Sequence, residues 1–120
     1  MHSAMSIELT TEQALRLWQD VHLTLVRDDK PDLSTRQGTI LLTVYLEAPP
    51  HTVRGLAEKL GVSKPVITRA LDAMGKLGLV NRRRDDKDRR NVLVQRTVAG
   101  SLYVGYLADM IVEQAEDPQK

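Results

Sequence analysis

The chain has no cysteine and no phenylalanine, and its 120 residues include only one tryptophan and three tyrosines. Without cysteine there can be no disulfide, no thiolate metal site and no thiol redox chemistry. With so few aromatics, Leu, Val, Ile and Ala must fill the core, which favours a helical protein. No stretch reaches the roughly 18 apolar residues that span a bilayer. The start, Met1 to Ser6, has neither the basic residues nor the apolar run of a leader, so no membrane partner and a cytoplasmic location are expected. His2, His22 and His51 lie in three separate segments, which argues against a metal site. No Ser-His-Asp set, glycine-rich phosphate loop or isolated carboxylate pair is present, so neither an enzyme nor a cofactor is expected.

What is present is an uneven distribution of charge. The net charge is +1, yet the stretch from Arg54 to Arg96 holds twelve Lys/Arg against five Asp/Glu, a balance of +7. Everything outside it balances to −6. A basic block of this kind is either a solvated face or the footprint of a polyanion, and local structure decides between them.

The periodicities predict five helices. Thr10 with Gln13 has the form of a capping box and opens a helix running to about Arg27. Ser34 with Gln37 opens a second, about Thr35 to Glu47, which Pro49-Pro50 stops. Val53 to Leu60 is short and amphipathic, and Gly61 stands where a left-handed residue ends a helix. Ser63 is then a candidate N-cap for a helix from Lys64 to about Leu77, with Pro65 tolerated in its first turn. Ile67, Ala70, Leu71, Met74 and Leu77 form the predicted inward stripe of that helix. Leu79 to Arg84 and Asn91 to Arg96 read as strands joined by a polar tip, and Val98 to about Ala115 reads as a last helix capped by Thr97. The fold class is therefore mainly α with a small β-wing, a winged helix-turn-helix with a two- or three-stranded antiparallel ribbon.

This order gives the basic block a chemistry. A helix fits the DNA major groove, and the outward residues near the start of the fourth helix, Ser63, Lys64, Pro65, Val66, Thr68 and Arg69, would meet base edges there. A thin ribbon carrying Arg89 and Arg90 suits the minor groove, whose narrow regions attract guanidinium groups. Asp88 is expected to orient one of those arginines by a salt bridge. Arg54, Lys76, Arg82, Arg83, Arg84 and Lys87 are the candidates for phosphate contacts, which give affinity and register without reading sequence.

The run from Leu56 to Gly100 resembles the winged-helix core of the multiple-antibiotic-resistance regulator (MarR) family. The resemblance rests on Leu56-Ala57, Gly61-Val62-Ser63, Val66 to Arg69 and Leu77-Gly78-Leu79-Val80. Its most discriminating part is Asp88-Arg89-Arg90 followed by Thr97 and Gly100. Leu33-Ser34-Thr35-Arg36-Gln37 resembles the family's entry into its second helix, so the similarity covers about Leu33 to Gly100. It implies a dimeric transcription factor, usually a repressor, that binds a pseudo-palindrome in double-stranded DNA. Ser63 to Arg69 carry over as the reading head and Asp88 to Arg90 as the wing tip. Many members release DNA on binding a phenolic or similar small molecule, an effector that no residue of this chain supports on its own. Arg96 stands where the family usually has Leu, and Gly75 where a charged residue is usual. Family members are also commonly longer at both ends, so reduced dimerisation helices are expected.

The whole chain is thus expected to be one winged-helix domain, with residues 1–10 flexible, 11–28 and 98–116 as dimerisation helices and 33–97 as the DNA-binding lobe. The last helix is apolar almost all round between Leu102 and Val112, more than a domain this small can hide. A homodimer interface is accordingly expected from Leu15, Trp18, Val21, Leu25, Tyr103, Tyr106, Leu107, Met110 and Ile111. The function expected is that of a sequence-specific DNA-binding regulator in the nucleoid. The alternative is a winged-helix module that docks another protein, which would have no use for arginines at a wing tip.

Overall fold

The computed structural model describes residues 8–116. His2 and most of the segment expected to be flexible lie outside the described residues. The elements are α1 Thr11–Arg27, α2 Thr35–Leu46, β1 His51–Thr52, α3 Val53–Leu60, α4 Lys64–Lys76, β2 Val80–Arg84, β3 Val92–Arg96 and α5 Val98–Glu116. Every helix and both longer strands fall within one or two residues of the boundaries read from the sequence. The added element is β1, too short to carry a sequence signal. It pairs antiparallel with β3 and makes the ribbon a three-stranded sheet of order β1-β3-β2.

The chain divides into two compact units, residues 33–106 and residues 1–32 with 107–120. The division falls inside α5. In the larger unit, α2 begins at the expected capping box: the Gln37 amide donates to Ser34 Oγ at 3.1 Å and the Ser34 amide to Gln37 Oε1 at 2.9 Å. These reciprocal bonds satisfy donors that a helix start leaves orphaned. The centre of the unit is built from Ile40, Leu41 and Val44 of α2 with Ile67, Leu71 and Met74 of α4, all fully buried. Burying each such side chain contributes about 1.5–3 kcal/mol. Leu56, Ala57, Leu79, Val80 and Val94 extend this core across α3 and the sheet. Leu77, expected on the inward stripe of α4, is instead 48% exposed. Leu77 is the C-cap residue of α4, still in αR conformation but past the last helical residue, Lys76.

A polar junction locks the unit together. The Tyr45 hydroxyl donates to Leu79 O at 2.8 Å and accepts from the Thr97 amide at 2.9 Å. Thr97 Oγ1 donates to Gly78 O at 2.7 Å and accepts from the Gly100 amide at 2.8 Å. Four segments meet here: α2, the α4–β2 turn, the end of β3 and the start of α5. Gly78, with φ of +75°, makes the turn that delivers its carbonyl. Gly100 is buried so tightly that a Cβ would overlap the Tyr45 hydroxyl and Leu79 O.

Arg96 has a structural task. Its Nε donates to Val44 O at 2.8 Å and its Nη2 to Glu47 O at 3.0 Å, carbonyls at the end of α2. A cation there satisfies orphaned acceptors and complements the negative end of the helix, as Leu could not.

The smaller unit pairs α1 with residues 107–116 of α5. Thr10 and Gln13 form the predicted capping box, and Gln114 Nε2 donates to Thr24 Oγ1 at 3.3 Å. Among the described residues no helix is long and apolar enough to cross a membrane.

Gly100→Ala is expected to cost at least about 2 kcal/mol, since overfilling a packed site forces neighbours to move. Urea unfolding checks this. Gly105, with open space around its Cα, is the control, because Gly105→Ala lacks that clash.

Candidate nucleic-acid interface

The start of α4 is presented by a tight turn. Gly61 adopts φ of +69°, and the Val62 amide donates to Ala57 O at 3.1 Å, which reverses the chain after α3. Ser63 then takes the N-cap position with extended backbone, as expected, but its hydroxyl makes no capping bond. Pro65 explains this. It occupies the second helical position and has no amide to offer, while the third amide, that of Val66, donates to Ser63 O at 3.1 Å. The Ser63 hydroxyl is left facing outward with Lys64, Pro65 and Arg69, all exposed, and with Val66 and Thr68 half-buried at their base. The structure therefore brings all six predicted reading-head residues together at the N-cap and first two turns of α4, with Ser63, Lys64, Pro65 and Arg69 exposed and Val66 and Thr68 on the flanks of the core face.

In the wing, β2 and β3 run in register from Val80 opposite Arg96 to Arg84 opposite Val92. The tip closes with the Asp85 amide donating to Asn91 O at 3.0 Å and the Asn91 amide to Asp88 O at 2.9 Å. Asp88 grips Arg90 with both oxygens: Oδ1 accepts from Nε at 3.0 Å and from the Arg90 amide at 3.1 Å, and Oδ2 accepts from Nη2 at 3.1 Å. The Arg90 side-chain bonds, then its backbone bond, hold the Asp88 carboxyl below its usual pKa, and the charge of Arg54 adds to the effect. The expected orienting pair is thus Asp88 with Arg90 and not Arg89. Arg90 stays 83% exposed in the pair, so its remaining N–H donors face solvent from a fixed guanidinium plane.

The arginines nearer the body divide by strand alternation. Arg82 and Arg84 share one face of β2 and Arg83 takes the other. Two of the three, expected like Arg83 at phosphates, also hold a protein partner through one guanidinium nitrogen. Arg84 Nη1 donates to Arg89 O at 2.8 Å and braces the tip from within. Arg82 Nη2 donates to Asp72 Oδ1 at 2.6 Å and ties β2 to α4. Arg54, Lys76, Arg83, Lys87 and Arg89 are exposed, and their side chains form no hydrogen bond or salt bridge among the described residues. Asp72 is the site residue that sequence reading passed over. Its signal was a lone carboxylate on the outward face of a basic helix.

The residues expected at a dimer interface separate by burial. Val21, Tyr103 and Met110 are buried within the single chain, so they cannot offer a free surface. Leu25, Tyr106 and Leu107 are half-buried, while Leu15 and Trp18 remain more than 60% exposed and Ile111 is also exposed. Val98, Leu102 and Val112, not among those expected, are exposed as well.

Residues 33–92, half of the chain, match the MarR family. The chain belongs to the MarR family. Its fold recurs in solved structures of transcriptional regulators. The S. aureus MepR–DNA complex superimposes with a TM-score of 0.70 at 18% identity, covering 91% of this chain and 84% of that one. PcaV from Streptomyces coelicolor, solved with its natural ligand, gives 0.63 at 24% identity, over 92% and 79%. BldR from Sulfolobus solfataricus gives 0.61 at 26% identity, over 85% and 73%. No match is found among curated proteins. The family match ends at residue 92, within the wing, so it includes the whole of α4 and the Asp88–Arg90 clamp of this MarR chain.

Because the Asp88 pKa is depressed in the folded wing, the clamp is intact at neutral pH and is lost only as pH falls through that lowered value. A carboxyl-carbon NMR titration should give Asp88 a lower midpoint than it has in an Arg90→Gln variant. Equal midpoints would mean that the pair does not persist in solution.

Proposed function

We propose that this MarR-family chain is a sequence-specific DNA-binding regulator, a repressor that binds a pseudo-palindromic operator as a homodimer. The start of α4 lies in the major groove, where Arg69 offers the bidentate donors suited to guanine, Thr68 and the uncommitted Ser63 hydroxyl reach a base or phosphate, and Pro65 and Val66 pack on thymine methyls. The wing lies in the flanking minor groove with Arg90 presented by Asp88 and Arg89 beside it. Arg54, Lys76, Arg83 and Lys87 meet phosphates.

The observation that carries this reading is the Asp88–Arg90 clamp, a guanidinium held in a fixed plane and left exposed at the end of a ribbon. An arginine that served only solubility would need no such grip. Exposed Leu15, Trp18 and Ile111 support self-association of the terminal helices, since apolar groups in such number on one small unit invite a partner. A small-molecule effector forms no part of the proposal.

Gel shifts on the DNA upstream of its own gene test the reading. With four phosphate contacts per subunit, a dimer should lose affinity with log salt at a slope near −7. A slope shallower than about −3, or no sequence-selective shift from a dimeric preparation, would favour a protein-docking module instead.

The division of labour has its own check. Arg69→Ala should cut discrimination between sites by about 1–3 kcal/mol. Arg90→Ala, and Asp88→Ala despite its added positive charge, should weaken binding with little change in preference. Equal losses on all sequences from Arg69→Ala and Arg90→Ala would refute the assignment.

A further inference from the structure

Asp72 lies three residues beyond Arg69, one turn further along the outward side of α4. A free carboxylate there would repel the phosphates that the surrounding cations attract. Instead it holds Arg82 at 2.6 Å, and the pair lines a solvent-open cleft of about 490 Å³ together with Gly75, Lys76, Val80 and Asn81. Lys76 keeps its charge uncommitted in the same cleft. Asp72 is 53% and Arg82 32% exposed at the side chain, and a pair this open to water contributes little to stability. Its consequence is electrostatic: it removes one positive charge per subunit from the surface beside the reading helix.

We propose that Asp72 withholds Arg82 from the DNA backbone and so sets how strongly, and with what salt dependence, the protein holds DNA of any sequence. The inference rests on the DNA-binding reading above. Phosphate contacts strengthen binding to every sequence alike, while base contacts strengthen only the correct one. Neutralising Arg82 therefore lowers affinity for operator and random DNA alike and leaves discrimination between them to Arg69 and its neighbours. In the absence of Asp72, Arg82 is free to turn into the cleft and take a phosphate oxygen beside Lys76.

The test compares wild type, Asp72→Asn, Arg82→Gln and the double variant on operator and random-sequence duplexes across a salt series, with thermal melts to confirm folding. Asp72→Asn should bind both duplexes more tightly, leave the operator-to-random ratio nearly unchanged, and steepen the log–log slope by about 1.8 for a dimer, one contact in each subunit. That is about tenfold more affinity lost between 50 and 200 mM salt than wild type loses. Arg82→Gln, which leaves Asp72 unpaired, should weaken binding to both duplexes, and the double variant should return to the wild-type slope. An unchanged slope for a folded Asp72→Asn, or a double variant as steep as Asp72→Asn, would overturn the proposal and leave the pair as a brace. Absence of salt-sensitive binding by the wild type would instead refute DNA binding itself, and the withholding of Arg82 with it.

Discussion

The Tyr45 hydroxyl and the Thr97 peptide group sit where four segments of the larger unit converge, and the geometry of the interface follows from that contact. Tyr45 reaches the Leu79 carbonyl just after α4, and Thr97 reaches the Gly78 carbonyl in the same turn. The exit of α4, the base of the wing and the entry to α5 are thereby fixed to α2. Buried polar groups of this kind stabilise only when each finds its partner, and no described buried side-chain nitrogen or oxygen lacks one. Gly100 is the steric counterpart of the same junction, because only a residue without Cβ lets the start of α5 approach. Arg96 extends the arrangement by tying the end of β3 to the last carbonyls of α2.

From this frame the arginines of the wing divide into four kinds. Arg90 is aimed by a carboxylate yet stays exposed, Arg84 is consumed in bracing the tip, and Arg82 is neutralised by Asp72. Arg83, next to two committed neighbours, is left open by strand alternation alone. Net positive charge is thus a poor measure of what the surface offers a polyanion. The number of uncommitted guanidinium and ammonium groups, and the plane in which each is held, is the more useful quantity.

The smaller unit follows a different logic. Its described residues expose Leu15, Trp18, Leu23, Val26, Ile111 and Val112, and this unit also contains most of the acidic residues outside the basic stretch. An apolar surface with like charges around it favours a self-complementary partner only when hydrophobic burial outweighs repulsion. Each apolar side chain removed from water contributes about 1.5–3 kcal/mol, against at most about 1 kcal/mol for an exposed charge pair.

The helix boundaries, the capping boxes at Thr10 and Ser34, the turn glycine Gly61, the Asp88 clamp and the MarR resemblance were all legible in the sequence. Each is set by residues a few positions apart, and local chemistry of that range is written directly in the chain. Tertiary structure decided what depends on distant partners. Tyr45 takes its role from residues 34 and 52 positions away, which its hydroxyl meets only in the fold. Arg82 read as one of three equivalent arginines until folding set it against Asp72. Val21, Tyr103 and Met110 read as interface residues until packing buried them. Side-chain periodicity determines which face a residue occupies, but only the folded chain determines what stands opposite that face.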